Sequence, residues 1–208
     1  MVDKICDMLM QRVELKMPEV DEERAEIIRY GFELMIGEFP KIVLMFIIAI
    51  LLGKIKYFLI SIAIICPYRI YSGGVHLKTH IGCFFATTLL YLGNVYMAEL
   101  LTFPNIYTKY IAMIIVYAFA ISMICLYAPA DTDTVPILRR KDRNMKKIIS
   151  IIIVSIVVIY SLITKNTIIS NLCIVGIFIQ TITITKGIYK IFNVKLGYLE
   201  YKKSSEKA

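Results

Sequence analysis

Apolar residues gather in long runs over most of this chain, and polar residues mark the gaps between the runs. Residues 1–20 are the exception. There Ile5, Met8, Leu9, Val13 and Leu15 are interleaved with charges, the pattern of an amphipathic helix on a membrane surface, and Pro18 interrupts it. A second helix is expected from Asp21, with acids in its first turn where the helix dipole favours them. Ile27, Ile28, Phe32, Leu34 and Met35 give it an apolar side. The runs proper follow at 41–54, 57–66, about 82–103, about 110–127, 148–164 and about 167–185. Crossing a hydrocarbon core takes about 20 helical residues. The first run must therefore recruit residues before Pro40. The second, closed or kinked by Pro67, leaves the stretch after it at membrane depth or near an interface.

Composition agrees with these runs. The chain has 208 residues, is 58% hydrophobic, and has a mean hydropathy of +0.70. The expected fold is all-α: a multi-span membrane protein with about six transmembrane helices and an N-terminal amphipathic helical region. A single membrane domain over 1–208 divides into interfacial helices (1–40), a transmembrane bundle (41–185) and a basic tail (186–208). The acidic, charge-rich N-terminus lacks the apolar centre of a cleavable signal, so the first span is expected to direct insertion.

The net charge of +8 does not point to nucleic acid. Residues 1–40 hold ten acids and five Lys/Arg, whereas the remaining nineteen Lys/Arg face six acids and sit mostly in loops beside spans. That distribution suits membrane orientation and contact with lipid headgroups. With six spans, both termini, the loop after the second span and the 129–147 loop share the side richest in Lys/Arg, which is expected to be cytoplasmic. The five cysteines are scattered singly, with no CxxC pair, no zinc-like spacing and no HExxH, so no disulfide, metal or cofactor is expected.

Chemistry concentrates between Cys66 and Cys83, in CPYRIYSGGVHLKTHIGC, which holds both histidines of the chain. Cys83 is the candidate nucleophile, because a thiolate needs a histidine within reach. Cys66 precedes a proline at the end of an apolar run, and Cys125 has no ionisable neighbour. On a straight helix His80 would lie beside Cys83, while His76, seven residues away, would sit about 10.5 Å along the axis. His76 serves Cys83 only if the chain bends. The Gly73–Gly74 pair permits that bend, so a non-helical turn is expected there, with Cys83 opening the next helix. Backbone N–H groups of this pair are also candidate oxyanion donors. Glu99, about 24 Å further along a helix, belongs to the far side.

Arg69, Gly74, His76 and Cys83 form the frame RxxxxGxHxxxxxxC just before a span. With the APADTDTVPI segment and the basic cluster behind it, the chain resembles the accessory gene regulator protein B (AgrB) family. Those proteins are membrane cysteine endopeptidases of bacterial quorum sensing. The resemblance implies His76 as base and Cys83 as nucleophile, with His80 outside the catalytic set. Arg69 and Gly74 match positions needed for activity, with Gly73 beside them in the turn. Arg139, Arg140 and Lys141 match the basic cluster before the fifth span. Arg69 either binds a substrate carboxylate or holds the loop, and Asp131 or Asp133 is a candidate to orient His76. The implied substrate is a short amphipathic AgrD-like precursor peptide with an acidic C-terminal part. It is cut through an acyl-thioester on Cys83 and cyclised to a thiolactone or lactone. A homodimer in the bacterial cell membrane, in contact with lipid and not with nucleic acid, is the implied assembly. The alternative is a peptide transporter or membrane scaffold that cuts nothing.

Overall fold

In a computed structural model the described residues are 2–17, 21–75, 77, 79–131, 137, 139–194 and 197–198. Each expected apolar run forms helix, and among the described residues no β-strand occurs. The helices are α1 (Val2–Lys16), α2 (Glu22–Leu51), α3 (Ile55–Ser72), α4 (His80–Leu100), α5 (Ile106–Tyr127), α6 (Arg140–Ile163), α7 (Thr167–Thr183) and α8 (Lys186–Ile191). Among the described residues four helices are long and apolar enough to cross a membrane, over Ile55–Ser72, Ile81–Leu100, Ile106–Tyr127 and Arg140–Ile163, and α7 is a shorter apolar helix. The protein is thus an all-helical, multi-span membrane protein.

Two compact units are present, Met1–Gly53 and Lys54–Ala208. In the first, α1 packs on α2, and Arg29 Nη2 meets Asp7 Oδ1 at 2.8 Å. That pair is half exposed, so it adds at most about 1 kcal/mol. Asp21 caps α2 by accepting from the Arg24 N–H at 2.8 Å. The helix then passes unbroken through Pro40, so the expected second helix and first apolar run are one 30-residue element.

In the second unit α3 to α7 run up and down, with α7 packed against the other four. Ten of the residues of α7 are buried, which fits a helix that is apolar on nearly all sides. Between apolar helices in a bilayer, close packing and hydrogen bonds replace the hydrophobic effect as the adhesive. Both occur here. Gly176 lets α7 approach α3, since a Cβ there would lie 3.3 Å from Ile64 and Ile65. Buried Asn171 donates to the carbonyls of Ala98 (3.0 Å) and Leu101 (2.8 Å), and Asn94 donates to Ser61 (2.9 Å). Ser161 and Ser170 join α6 to α7 through their hydroxyls at 2.8 Å.

Pro67 does not stop its helix. α3 continues to Ser72, so its 18 residues span about 27 Å without help from the loop that follows. A proline removes one N–H from the ladder, and the bonds beyond it re-form. Glycine ends this helix instead. The basic cluster also differs from expectation. α6 begins at Arg140, so Arg139 is its N-cap and Arg140 and Lys141 lie in its first turn, not in a loop.

Candidate functional site

The ends of α3, α5 and α7, the starts of α4 and α6, and α8 meet at one end of the second unit. The Lys54–Glu99 pair, with both carboxylate oxygens 2.8 Å from Nζ, marks the other end. α3 closes at Gly73, with φ 73° and ψ −156°, and Gly74 follows at φ 149°. Side chains are essentially barred from such backbone. Space bars them too. A Cβ on Gly73 would collide with the Ala130 backbone, and one on Gly74 would sit 2.8 Å from Thr183 Oγ1. The turn expected at this pair is therefore present, and two neighbours shape it.

One neighbour is the segment after α5. Gly73 pairs with Ala130 in an isolated parallel bridge: Gly74 N–H donates to Ala130 O (3.0 Å), and Ala130 N–H donates to Ser72 O (2.8 Å). Gly73 N–H donates to Arg69 O at 2.9 Å. Both glycine N–H groups are thus committed inside the fold, which argues against the oxyanion role expected of them. Tyr189 of α8 donates its buried hydroxyl to Ala130 O at 2.9 Å, and burial pushes the Tyr189 phenol pKa up.

The other neighbour is the end of α7. Gln180 is fully buried; its Nε2 donates to Gly73 O (2.9 Å) and to Ser72 Oγ (3.2 Å). Val75 N–H donates to Thr183 O at 3.1 Å. Arg69 completes the frame: Nη2 donates to Val75 O at 2.8 Å, and Nη1 reaches Gln180 Oε1 at 3.4 Å. Of the two roles expected for Arg69, holding the loop is the one these contacts describe.

His76 lies outside the described residues, and of His80 only the backbone is described, as the first residue of α4. Val75, the residue before His76, is clamped through both its N–H and its carbonyl. Thr79 caps α4 by accepting from Gly82 N–H at 3.2 Å. Cys83 is in the first turn of that helix, half-buried, with its sulfur 4.0 Å from Thr87 Oγ1. Among the described residues Leu77 and Thr79 are not helical, so Leu77 and Cys83 do not lie on one straight helix. Cys83, Arg69, Val75, Leu77 and Thr87 share the wall of a cavity of about 350 Å³.

Asp131, a candidate to orient His76, is otherwise engaged. Its carboxylate accepts from Arg143 Nη1 (3.1 Å), Ile137 N–H (2.8 Å) and Tyr198 N–H (3.3 Å). Arg143 also donates to Pro129 O at 3.2 Å and stacks 4.1 Å from the centre of the Tyr198 ring. This pair pins the segment that carries Ala130. Asp133 lies outside the described residues. Arg139, Arg140 and Lys141 are exposed. Cations at a helix N-terminus oppose its dipole, so their placement does not serve helix stability.

Gln180, Tyr189 and Arg143 were not singled out from the sequence. Only Gln180 carried a signal: a long polar side chain in an apolar run.

The family model for accessory gene regulator B matches residues 2–184. The chain belongs to that family. Among its relatives, a putative AgrB-like protein of Clostridium beijerinckii is 28% identical over 173 residues, covering 81% of each chain. One from Listeria innocua is 26% identical over 204 residues, covering 97% of this chain and 94% of the relative. The accessory gene regulator protein B of Staphylococcus aureus (strain bovine RF122) is 28% identical over 157 residues, covering 76% and 80%. No solved structure matches the chain. Membership of the accessory gene regulator B family connects the protein with quorum sensing and with a peptide precursor as partner.

Proposed function

We propose that this protein is a membrane-embedded cysteine endopeptidase that cleaves a short precursor peptide and leaves it cyclised. The observation that carries the reading is the shared wall: Cys83 and the residues on either side of His76, namely Val75 and Leu77, line one cavity. In the mechanism His76 takes the proton of Cys83, and the thiolate attacks the scissile carbonyl carbon. The tetrahedral intermediate collapses, the C–N bond breaks, and the departing amine takes the proton from His76. An acyl-thioester to Cys83 remains. A cysteine or serine within the bound peptide then attacks that thioester, closes the ring and returns the thiol to Cys83. Exchanging one thioester for another is nearly balanced, so the apolar surroundings serve mainly to keep water from hydrolysing the intermediate.

Arg69, Gly73 and Gly74 hold the turn that ends at Val75, the residue before His76. The exposed Arg139, Arg140 and Lys141 would receive the acidic part of the peptide from the cytoplasmic side, where both termini also lie. Lipid surrounds the spans, and the functional unit is a homodimer in the bacterial cell membrane. Co-expression with the precursor tests the chemistry. Cys83→Ala and His76→Ala should abolish cleavage, while His80→Ala should retain it. Full cleavage by the Cys83 variant would end the peptidase reading and favour a transporter or scaffold.

A further inference from the structure

The cavity beside Cys83 is built for hydrocarbon. Among its described lining residues only Arg69, Cys83, Thr87 and Thr183 carry a polar side-chain group able to hydrogen-bond at ordinary strength, and the rest are apolar residues of α4, α7 and α8 together with Val75, Leu77 and Phe192. Its 350 Å³ is at the small end of the roughly 300–1,000 Å³ range of ligand sites. One wall residue stands out. Gly93 lies in mid-α4 with no positive φ, and a Cβ there would meet only the Leu89 side chain, at 3.4 Å from Cδ1 and 3.8 Å from Cγ. Neither backbone conformation nor a close neighbour requires glycine at this point. A mid-helix glycine costs about 0.5–1 kcal/mol relative to alanine. What its missing side chain leaves is space on the cavity wall.

We propose that this cavity is the subsite for a bulky apolar side chain on the acyl side of the cut, and that Gly93, about 15 Å along α4 from Cys83, keeps its far end open. The inference rests on the peptidase reading and adds to it the kind of residue that acylates Cys83. Attack places the carbonyl carbon about 3–3.5 Å from sulfur. The side chain of the acylating residue starts one bond from that carbon, so a hollow sharing a wall with Cys83 is within its reach. Once seated, the side chain holds the acyl group in place while the peptide nucleophile closes the ring.

The test uses the full chain in lipid nanodiscs and two independent readouts. Methyl, butyl and octyl methanethiosulfonates form mixed disulfides with thiolates and release methanesulfinate, and mass mapping follows each cysteine separately. Cys125, exposed on α5, corrects for partitioning of the reagents into lipid. The butyl-to-methyl rate ratio at Cys83 should exceed that at Cys125 by about tenfold, a small part of what positioning can supply. Ala86→Leu, three residues from Cys83 on the same wall, should remove the excess, and Gly93→Leu should slow only the octyl reagent. Leu89→Ala, at an exposed position on the cavity wall, should keep the fold and shift the preference towards octyl. In the second readout, precursors with Leu or Ala at the acylating residue are compared. The natural protein should favour Leu, and Ala86→Leu should favour Ala. Equal ratios at Cys83 and Cys125 would overturn the proposal. So would equal cleavage of both precursors with the reagent preference intact, which would assign the cavity to a lipid acyl chain. Intact reagent preference with no cleavage at all would sink the peptidase reading and the subsite with it.

Discussion

Gln180→Leu is the sharpest probe of how the turn is held. The natural side chain is fully buried, donates to Gly73 O at 2.9 Å and Ser72 Oγ at 3.2 Å, and accepts from Arg69 at 3.4 Å. Leucine fills similar space and removes all three bonds. In a membrane protein such bonds average about 0.6 kcal/mol and reach about 1.7. The Arg69 contact is long and counts least, although a guanidinium left without its acceptor adds to the cost. Gly73 O keeps a bond from Ser72 Oγ at 3.2 Å, which limits the loss. The expected destabilisation of the turn is roughly 1–3 kcal/mol, or about a 5- to 150-fold fall in its population. The global fold should hold, since α7 keeps its other buried contacts. Precursor cleavage should fall by about tenfold at constant protein level, because 1.4 kcal/mol corresponds to that factor. Amide exchange at Gly74 and Val75 should speed up over the same range, while exchange in mid-α7 stays unchanged. Exchange at Val75 and cleavage both within twofold of the natural protein would refute the clamp. Gln180→Glu separates the donors from the acceptor: it keeps the partner of Arg69 but sets a carboxylate oxygen against Gly73 O, so it should not restore activity.

Gly73→Ala meets both forbidden backbone and the Ala130 segment; the strain alone is about 1–3 kcal/mol, and cleavage should fall below a tenth of normal in membranes containing normal amounts of protein. Arg143→Met leaves Asp131 buried without its cation, a loss of about 3–5 kcal/mol for a broken buried pair. Lower thermal stability should therefore accompany its lost activity, and Asp131→Asn with Arg143→Met should recover part of both. Glu99 raises the pKa of Lys54 above its ordinary 10.5, chiefly through their hydrogen bond. A raised pKa means the pair stabilises the fold below that ordinary value and loses its effect as pH climbs through the folded one. Melting temperature should thus decline on the alkaline side of pH 10.5 in the natural protein, and more weakly in Glu99→Gln.

The periodicity and length of the apolar runs were enough to place α4 to α7 within a few residues, except where α6 extends back to Arg140. The glycine turn was legible for a different reason: a spacing argument made the pairing of His76 with Cys83 depend on a bend, and only Gly73–Gly74 offered one nearby. Pro67 misled because a proline in sequence reads as a stop, whereas one missing N–H does not end a helix whose later residues pack against α7. Of what holds the turn, only Gln180 left a trace in the sequence, as a long polar side chain in an apolar run. Gln180 is 107 residues from Gly73, Ala130 is 57 residues away, and Arg143 reads as one more basic residue until Asp131 is found against it. Local pattern marks which side chains are reactive and where the chain breaks. The shape of the break is set by partners brought together by helix packing, which no local pattern encodes. Variants at Gln180, Tyr189 and Arg143 should therefore alter catalysis without touching a residue of the RxxxxGxHxxxxxxC frame.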